Sequence, residues 1–140
     1  MKGVKSIFVL LVLSVMIGCT TLTPEQKTEY NMMEKDGVLI KEKDPTTGAW
    51  FGLLPGGGSF YGREPVVGVV DLLLWPLSIL WDPVIGHETS QTVNYKLTVS
   101  SLQKEKQKEL NELEDQKDLA KISEVEYVAK KREIEQKYNY

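Results

Sequence analysis

A single histidine and a single cysteine among 140 residues leave little from which to build catalytic chemistry. One His excludes multi-histidine metal sites, and one Cys excludes a disulfide framework within the chain. Basic residues do not predominate: Lys and Arg number 17 against 20 Asp and Glu, a net charge of −3. Without a basic excess, nothing draws the chain electrostatically to nucleic acid or to an anionic surface. The glycine run Gly56–Gly58 is not followed by Gly-Lys-Ser/Thr, so it is not a phosphate loop. Asp82, His87 and Ser90 are the residue types of a triad, but they crowd into one turn without a nucleophile elbow. His87 reads instead as a surface residue after a glycine. The C-terminal glutamates recur at helical spacing on a solvated face and do not form a glycosidase pair. The expectation is a protein that is not an enzyme and uses no cofactor or metal.

What is present is sharply segregated. Residues 49–86 carry only Arg63, Glu64, Asp71 and Asp82 as charges, whereas residues 101–140 carry 9 basic and 10 acidic side chains. The N-terminus has a third character. Lys2 and Lys5 precede an apolar run from Ser6 to Ile17, too short to span a bilayer and of the form of a secretory signal peptide.

The run ends in Met16-Ile17-Gly18-Cys19, which resembles the lipobox of bacterial lipoproteins. The resemblance implies cleavage before Cys19, acylation of its thiol, and attachment to membrane lipid. Thr20 in place of Asp after the cysteine implies sorting to the outer membrane rather than the inner one. Multiple acyl chains make such attachment durable.

Beyond Cys19 the chain is punctuated by proline and glycine. Thr23-Pro24-Glu25-Gln26 is a capping-box helix start, and Gly37 can end that helix. Gly37 to Pro45 reads as a short extended piece. Asp44-Pro45 opens a short helix that Pro55-Gly56-Gly57-Gly58 breaks. Ser59 to Gly62 reads as a connector, and Glu64-Pro65 opens the next helix, with further breaks at Trp75-Pro76 and Asp82-Pro83.

Val66 to Gly86 is as long as a membrane span. Yet a helix from Val66 to Trp81 would be only about 24 Å long at 1.5 Å per residue, short of a roughly 30 Å hydrocarbon core. Asp71 within it would cost about 2.5–3.5 kcal/mol near the bilayer centre. The expectation is a broken helical hairpin at the membrane interface, with Trp50, Phe60, Tyr61, Trp75 and Trp81 as interfacial aromatics. Gly56, Gly57, Gly58 and Gly62 form its turn. Gly52/Gly56 and Gly58/Gly62 have the small-xxx-small spacing that lets helices approach closely in lipid.

The stretch from Gly52 to Asp82 resembles the small domain with two transmembrane helices found in many bacterial membrane proteins. The likeness rests on Gly56, Gly57, Gly58, Phe60, Tyr61, Gly62, Gly68, Trp81 and Asp82. Its first helix is far too short to span, so the turn is shared and the spanning topology is not. With Val93-Asn94-Tyr95, the same stretch is also similar to a set of short bacterial and prophage lipoproteins.

Thr92 to Val99 is rich in β-branched residues and reads as a strand; from Ser101 onward the chain reads as helical. Leu110 to Ile134 resembles the short C-terminal domain called SHOCT through Ile122, Ser123, Glu126, Tyr127, Lys131 and Ile134. Ala120 stands where that family places a turn glycine. The resemblance implies an interaction or oligomerisation tail. Leu110, Leu113, Ile122, Tyr127 and Ile134 are its candidate contact residues, too few to bury a core of their own.

The fold expected is mainly α: short broken helices in an apolar central hairpin, one short β-strand pair, and a charged C-terminal helix or helical hairpin. The chain divides into four segments: a signal peptide (1–18), a lipidated tether and short helix (19–43), an apolar membrane-associated segment (44–99), and a charged interaction segment (100–140). The function expected is a non-enzymatic, lipid-anchored envelope protein whose partner is another copy or an envelope protein. The alternative is an accessory or phage-encoded factor that binds and modulates an envelope channel or receptor.

Overall fold

The computed structural model describes residues 21–140; the expected signal peptide and Cys19 lie outside them. The described chain is helical: α1 (Pro24–Lys35), α2 (Pro45–Phe51), α3 (Gly57–Tyr61), α4 (Pro65–Leu73), a 3-10 turn (Leu77–Leu80), α5 (Asp82–Asp118) and α6 (Glu124–Lys137). It divides into two compact units, one ending at Tyr95 and the other comprising Lys96–Tyr140.

The helix starts arise from local chemistry. Thr23 caps α1: its hydroxyl accepts from Gln26 N, and the Gln26 side chain accepts from Thr23 N at 3.0 Å. Asp44 caps α2 by accepting from Thr46 N and Thr47 N, both at 3.1 Å. Pro24, Pro45 and Pro65 each open a helix, where the missing N–H costs nothing. Gly37 turns the chain away just after α1 at φ +73°, a left-handed conformation.

Two expectations are corrected. No strand occurs among the described residues, and Thr92 to Val99 lies inside α5. The hydroxyls of Thr89, Ser90 and Thr92 donate to carbonyls four residues earlier, at 2.7, 2.6 and 3.0 Å. Buried polar side chains are thereby satisfied within the helix itself, and packing overrides a weak β propensity. Residues 59–61 are likewise helical, as part of α3, and not a connector. Here Gly56, at φ +68°, turns the chain, and its neighbours proceed directly into a helix.

The second unit is a helical hairpin. α5 stops at Asp118, Ala120 adopts φ +51°, and Ser123 starts α6 with a capping box closed by Glu126. Lys137 and Tyr138 return to Glu109 at 2.6 and 2.9 Å, and Lys117 meets Glu124 at 3.0 Å. Leu113 is the one buried large apolar side chain described in this unit.

Candidate functional site

Within the first unit, polarity is inverted over residues 45–92. From residue 45 to residue 92, every buried position is Gly, Ser, Thr or Asp: Gly48, Gly52, Gly58, Ser59, Asp71 and Asp82 among them. The large apolar residues of the same stretch face outward. Of 20 exposed large hydrophobic residues among the described ones, 15 lie between Trp50 and Val84. Leu73 and Leu80 are each 78 % exposed. Between Pro65 and Gly86 the only charged side chains are Asp71 and Asp82, at 1 % and 0 % exposure. The surface of that stretch therefore carries no charge.

Glycines bring the backbones together at the centre. A Cβ on Gly48 would stand 2.3 Å from Gly86 O, and one on Gly52 would stand 2.3 Å from Pro83 N. On Gly62 it would collide with Thr89 Oγ1 at 1.8 Å. α2, α3 and the start of α5 are thus in backbone contact, which only small residues permit.

Two carboxylates organise the interior. Asp82 accepts from Ser59 N at 2.9 Å and from Gly58 N at 3.3 Å. Those are the free N–H groups of the first turn of α3, whose own cap residue, Gly56, has no side chain to offer. Ser59 Oγ lies 2.9 Å from Asp82 Oδ1 and 2.7 Å from Asp71 Oδ2. Trp81 Nε1 donates to Asp71 Oδ1 at 2.7 Å. Burial pushes the Asp82 carboxyl above its ordinary value, opposed by the Ser59 hydrogen bonds and reinforced by the Asp71 charge.

A second polar tie closes the unit. Asn94, fully buried, accepts from Lys43 N at 2.8 Å and donates to Lys43 O at 2.7 Å. Tyr95 donates to Glu29 at 2.5 Å, and burial together with that carboxylate pushes its phenol up to about 12.

The aromatic residues singled out in the sequence separate into two sets. Trp50, Phe60 and Trp75 are exposed. Tyr61 and Trp81 are half-buried and hydrogen-bonded: Tyr61 stacks on Phe51 with ring centroids 5.3 Å apart and accepts from Asp44 N, while Trp81 serves Asp71. In the C-terminal hairpin, Leu110, Ile122, Tyr127 and Ile134 are half-buried beside the buried Leu113. Leu113 and Ile134 line a shallow groove rimmed by Glu109, Lys130 and Glu133.

Asp82 and Ser90 are committed elsewhere, to α3 and to Gly86 O, so the triad residue types do not assemble with His87. Among the described residues, no three His, Cys, Asp or Glu gather in a metal-binding group. No helix of the described residues is long and apolar enough to cross a membrane. Sequence reasoning missed Ser59 as the bridge and Asn94 as the clamp. The signal available was the isolation of Asp71 and Asp82 in an uncharged run, since an unpaired carboxylate there must turn inward to a partner. Comparison of the chain with protein-family models, curated proteins and solved structures gives no match.

Proposed function

We propose that this chain is a non-enzymatic, lipid-anchored protein of the bacterial envelope whose first unit docks shallowly into one leaflet. The observation that carries the reading is the inverted polarity of residues 45–92, with small and polar residues inside and leucine, valine and tryptophan outside. In water that arrangement is unfavourable, whereas in lipid it removes apolar surface from water and keeps the buried carboxylates hydrogen-bonded internally. The nine residues of α4 extend about 13 Å at 1.5 Å per residue, under half of a hydrocarbon core. Shallow docking fits them, and spanning does not.

The magnitude is sufficient. Burying an apolar side chain contributes about 1.5–3 kcal/mol, and Leu72, Leu73, Leu74, Trp75, Leu77, Ile79 and Leu80 are each partly buried already. Completing their burial contributes roughly 5–10 kcal/mol, comparable to or above a single myristoyl chain. An acyl group on Cys19, four residues before the Thr23 cap, would hold the unit within about 14 Å of the membrane surface. The C-terminal hairpin, with its charged exterior and thin apolar seam, then serves as the surface for a protein partner.

Flotation with phosphatidylethanolamine/phosphatidylglycerol vesicles tests this directly, using residues 20–140, which lack the cysteine. We expect flotation that persists at high salt. Leu73→Glu, Leu77→Glu and Leu80→Glu combined should abolish it while helicity by circular dichroism is retained. A chain that stays in the soluble fraction with these leucines intact would overturn the reading. Acylation is checked separately by palmitate labelling of the full chain, which Cys19→Ala should eliminate.

A further inference from the structure

Two buried carboxyl groups meet at one hydroxyl, and a hydroxyl has one proton. Ser59 Oγ is within hydrogen-bond distance of both Asp71 Oδ2 and Asp82 Oδ1, at 2.7 and 2.9 Å, and all three residues are at most 1 % exposed. If both carboxyls were ionised, one of these contacts would set a serine lone pair against a carboxylate oxygen. The contacts require one more proton than Ser59 supplies.

No cation offsets a second charge there. α2 has no ionisable side chain, and neither does the 3-10 turn. α3 contributes only Tyr61, whose hydroxyl is engaged by Asp44 N and whose ring lies under Lys43 Nζ at 4.5 Å. α4 contributes only Asp71. In the first turns of α5, Glu88 pairs with Lys27, and His87 acts on Asp44. Arg63, between α3 and α4, pairs with Glu42, and the Glu64 side chain at the start of α4 makes no cap hydrogen bond. Asp71 is the one charged group that acts on Asp82.

We propose that Asp71, Ser59 and Asp82 share a single additional proton, so that the triad carries one negative charge, and that this proton holds α3 and α4 onto the start of α5. With it in place, every polar side-chain atom of the triad has a partner. One carboxyl donates to Ser59 Oγ, and Ser59 donates to the other. The backbone N–H groups of Gly58 and Ser59 stay on Asp82, and the Trp81 indole stays on Asp71. Removing the proton leaves two carboxylates on one serine oxygen in a water-excluded space. Carboxyls of such a pair release their second proton at higher pH in the folded chain than in the unfolded one. The contribution is therefore complete below the ordinary carboxyl range near 4 and is lost as pH rises through the folded value.

Asp71→Asn supplies the proton permanently. Its amide N–H replaces the shared proton on Ser59 Oγ, Ser59 donates to Asp82, and the amide oxygen still accepts from Trp81. The full-length protein in non-ionic detergent should show a protonated-carboxyl infrared band at pH 7 that Asp71→Asn removes. The folded-to-unfolded ratio of the Asp71→Asn protein, relative to the parent, should rise about a thousandfold between pH 4 and pH 8, because a proton still held at pH 7 outlasts the ordinary carboxyl range by about three pH units. Asp82→Asn should also remove the band but lower stability at every pH, because α3 loses part of its cap. Absence of the band in the parent at pH 7 would overturn the proposal, whether or not either variant folds. So would persistence of the band in both variants, or an Asp71→Asn advantage that does not change with pH.

Discussion

Gly37 and Gly48 both resist replacement by alanine, for different reasons. At Gly37 a Cβ would meet nothing within 4 Å, so only the positive φ opposes the change. Gly37→Ala should cost about 1 kcal/mol. At Gly48 the new Cβ would stand 2.3 Å from a backbone carbonyl that cannot turn aside. Gly48→Ala should cost about 3 kcal/mol, and urea unfolding in detergent would rank the two. Tyr95 is the residue-scale pH reporter. Its phenol is raised from 10 to about 12 by burial and by Glu29, so its contribution is present below pH 10 and lost between about 10 and 12. Tyr95→Phe should lose stability at neutral pH yet flatten that alkaline decline.

At the scale of elements, what the sequence made legible was the helix starts. Thr23, Asp44 and Ser123 announce α1, α2 and α6 through side chains that bond to their own helix within three residues, and local chemistry of that kind is written in local sequence. α3 and α5 were not legible. The cap of α3 comes from Asp82, 23 or 24 residues downstream, and α5 is held helical by packing where its β-branched residues favour a strand, its buried hydroxyls being satisfied by carbonyls four residues back. The hairpin turn offers a clean test of element joining. Ala120 sits at φ +51°, which an alanine resists and a glycine does not. Ala120→Gly should therefore stabilise the C-terminal hairpin by about 1 kcal/mol, seen as a higher unfolding midpoint for the α5–α6 signal. Lys137→Ala should destabilise it at neutral pH. Glu109, held below the usual carboxylate range chiefly by the Lys137 hydrogen bond and then by Tyr138, would lose its main partner, and the acid sensitivity of the hairpin would shrink with it.

For the whole molecule, the distribution of charge makes a prediction that the individual residues do not. Residues 45–86 expose apolar surface with few charges, and the chain as a whole is acidic. Membrane attachment driven by that surface should change little with ionic strength and should not require anionic lipid, unlike docking through a basic patch. Vesicle flotation compared across salt, and with phosphatidylglycerol omitted, measures both.

The amino-acid sequence by itself determined where α1, α2, α4 and α6 begin, and that residues 49–86 are apolar and punctuated by proline. Those properties depend on neighbours within a few positions. Only the tertiary structure decided which way the apolar residues face, that Asp71 and Asp82 turn inward onto Ser59, and that Thr92 to Val99 coils into α5. The physical reason is that each of these depends on contacts between residues 10 to 51 positions apart. A glycine reveals its purpose only when the backbone it admits is in place against it.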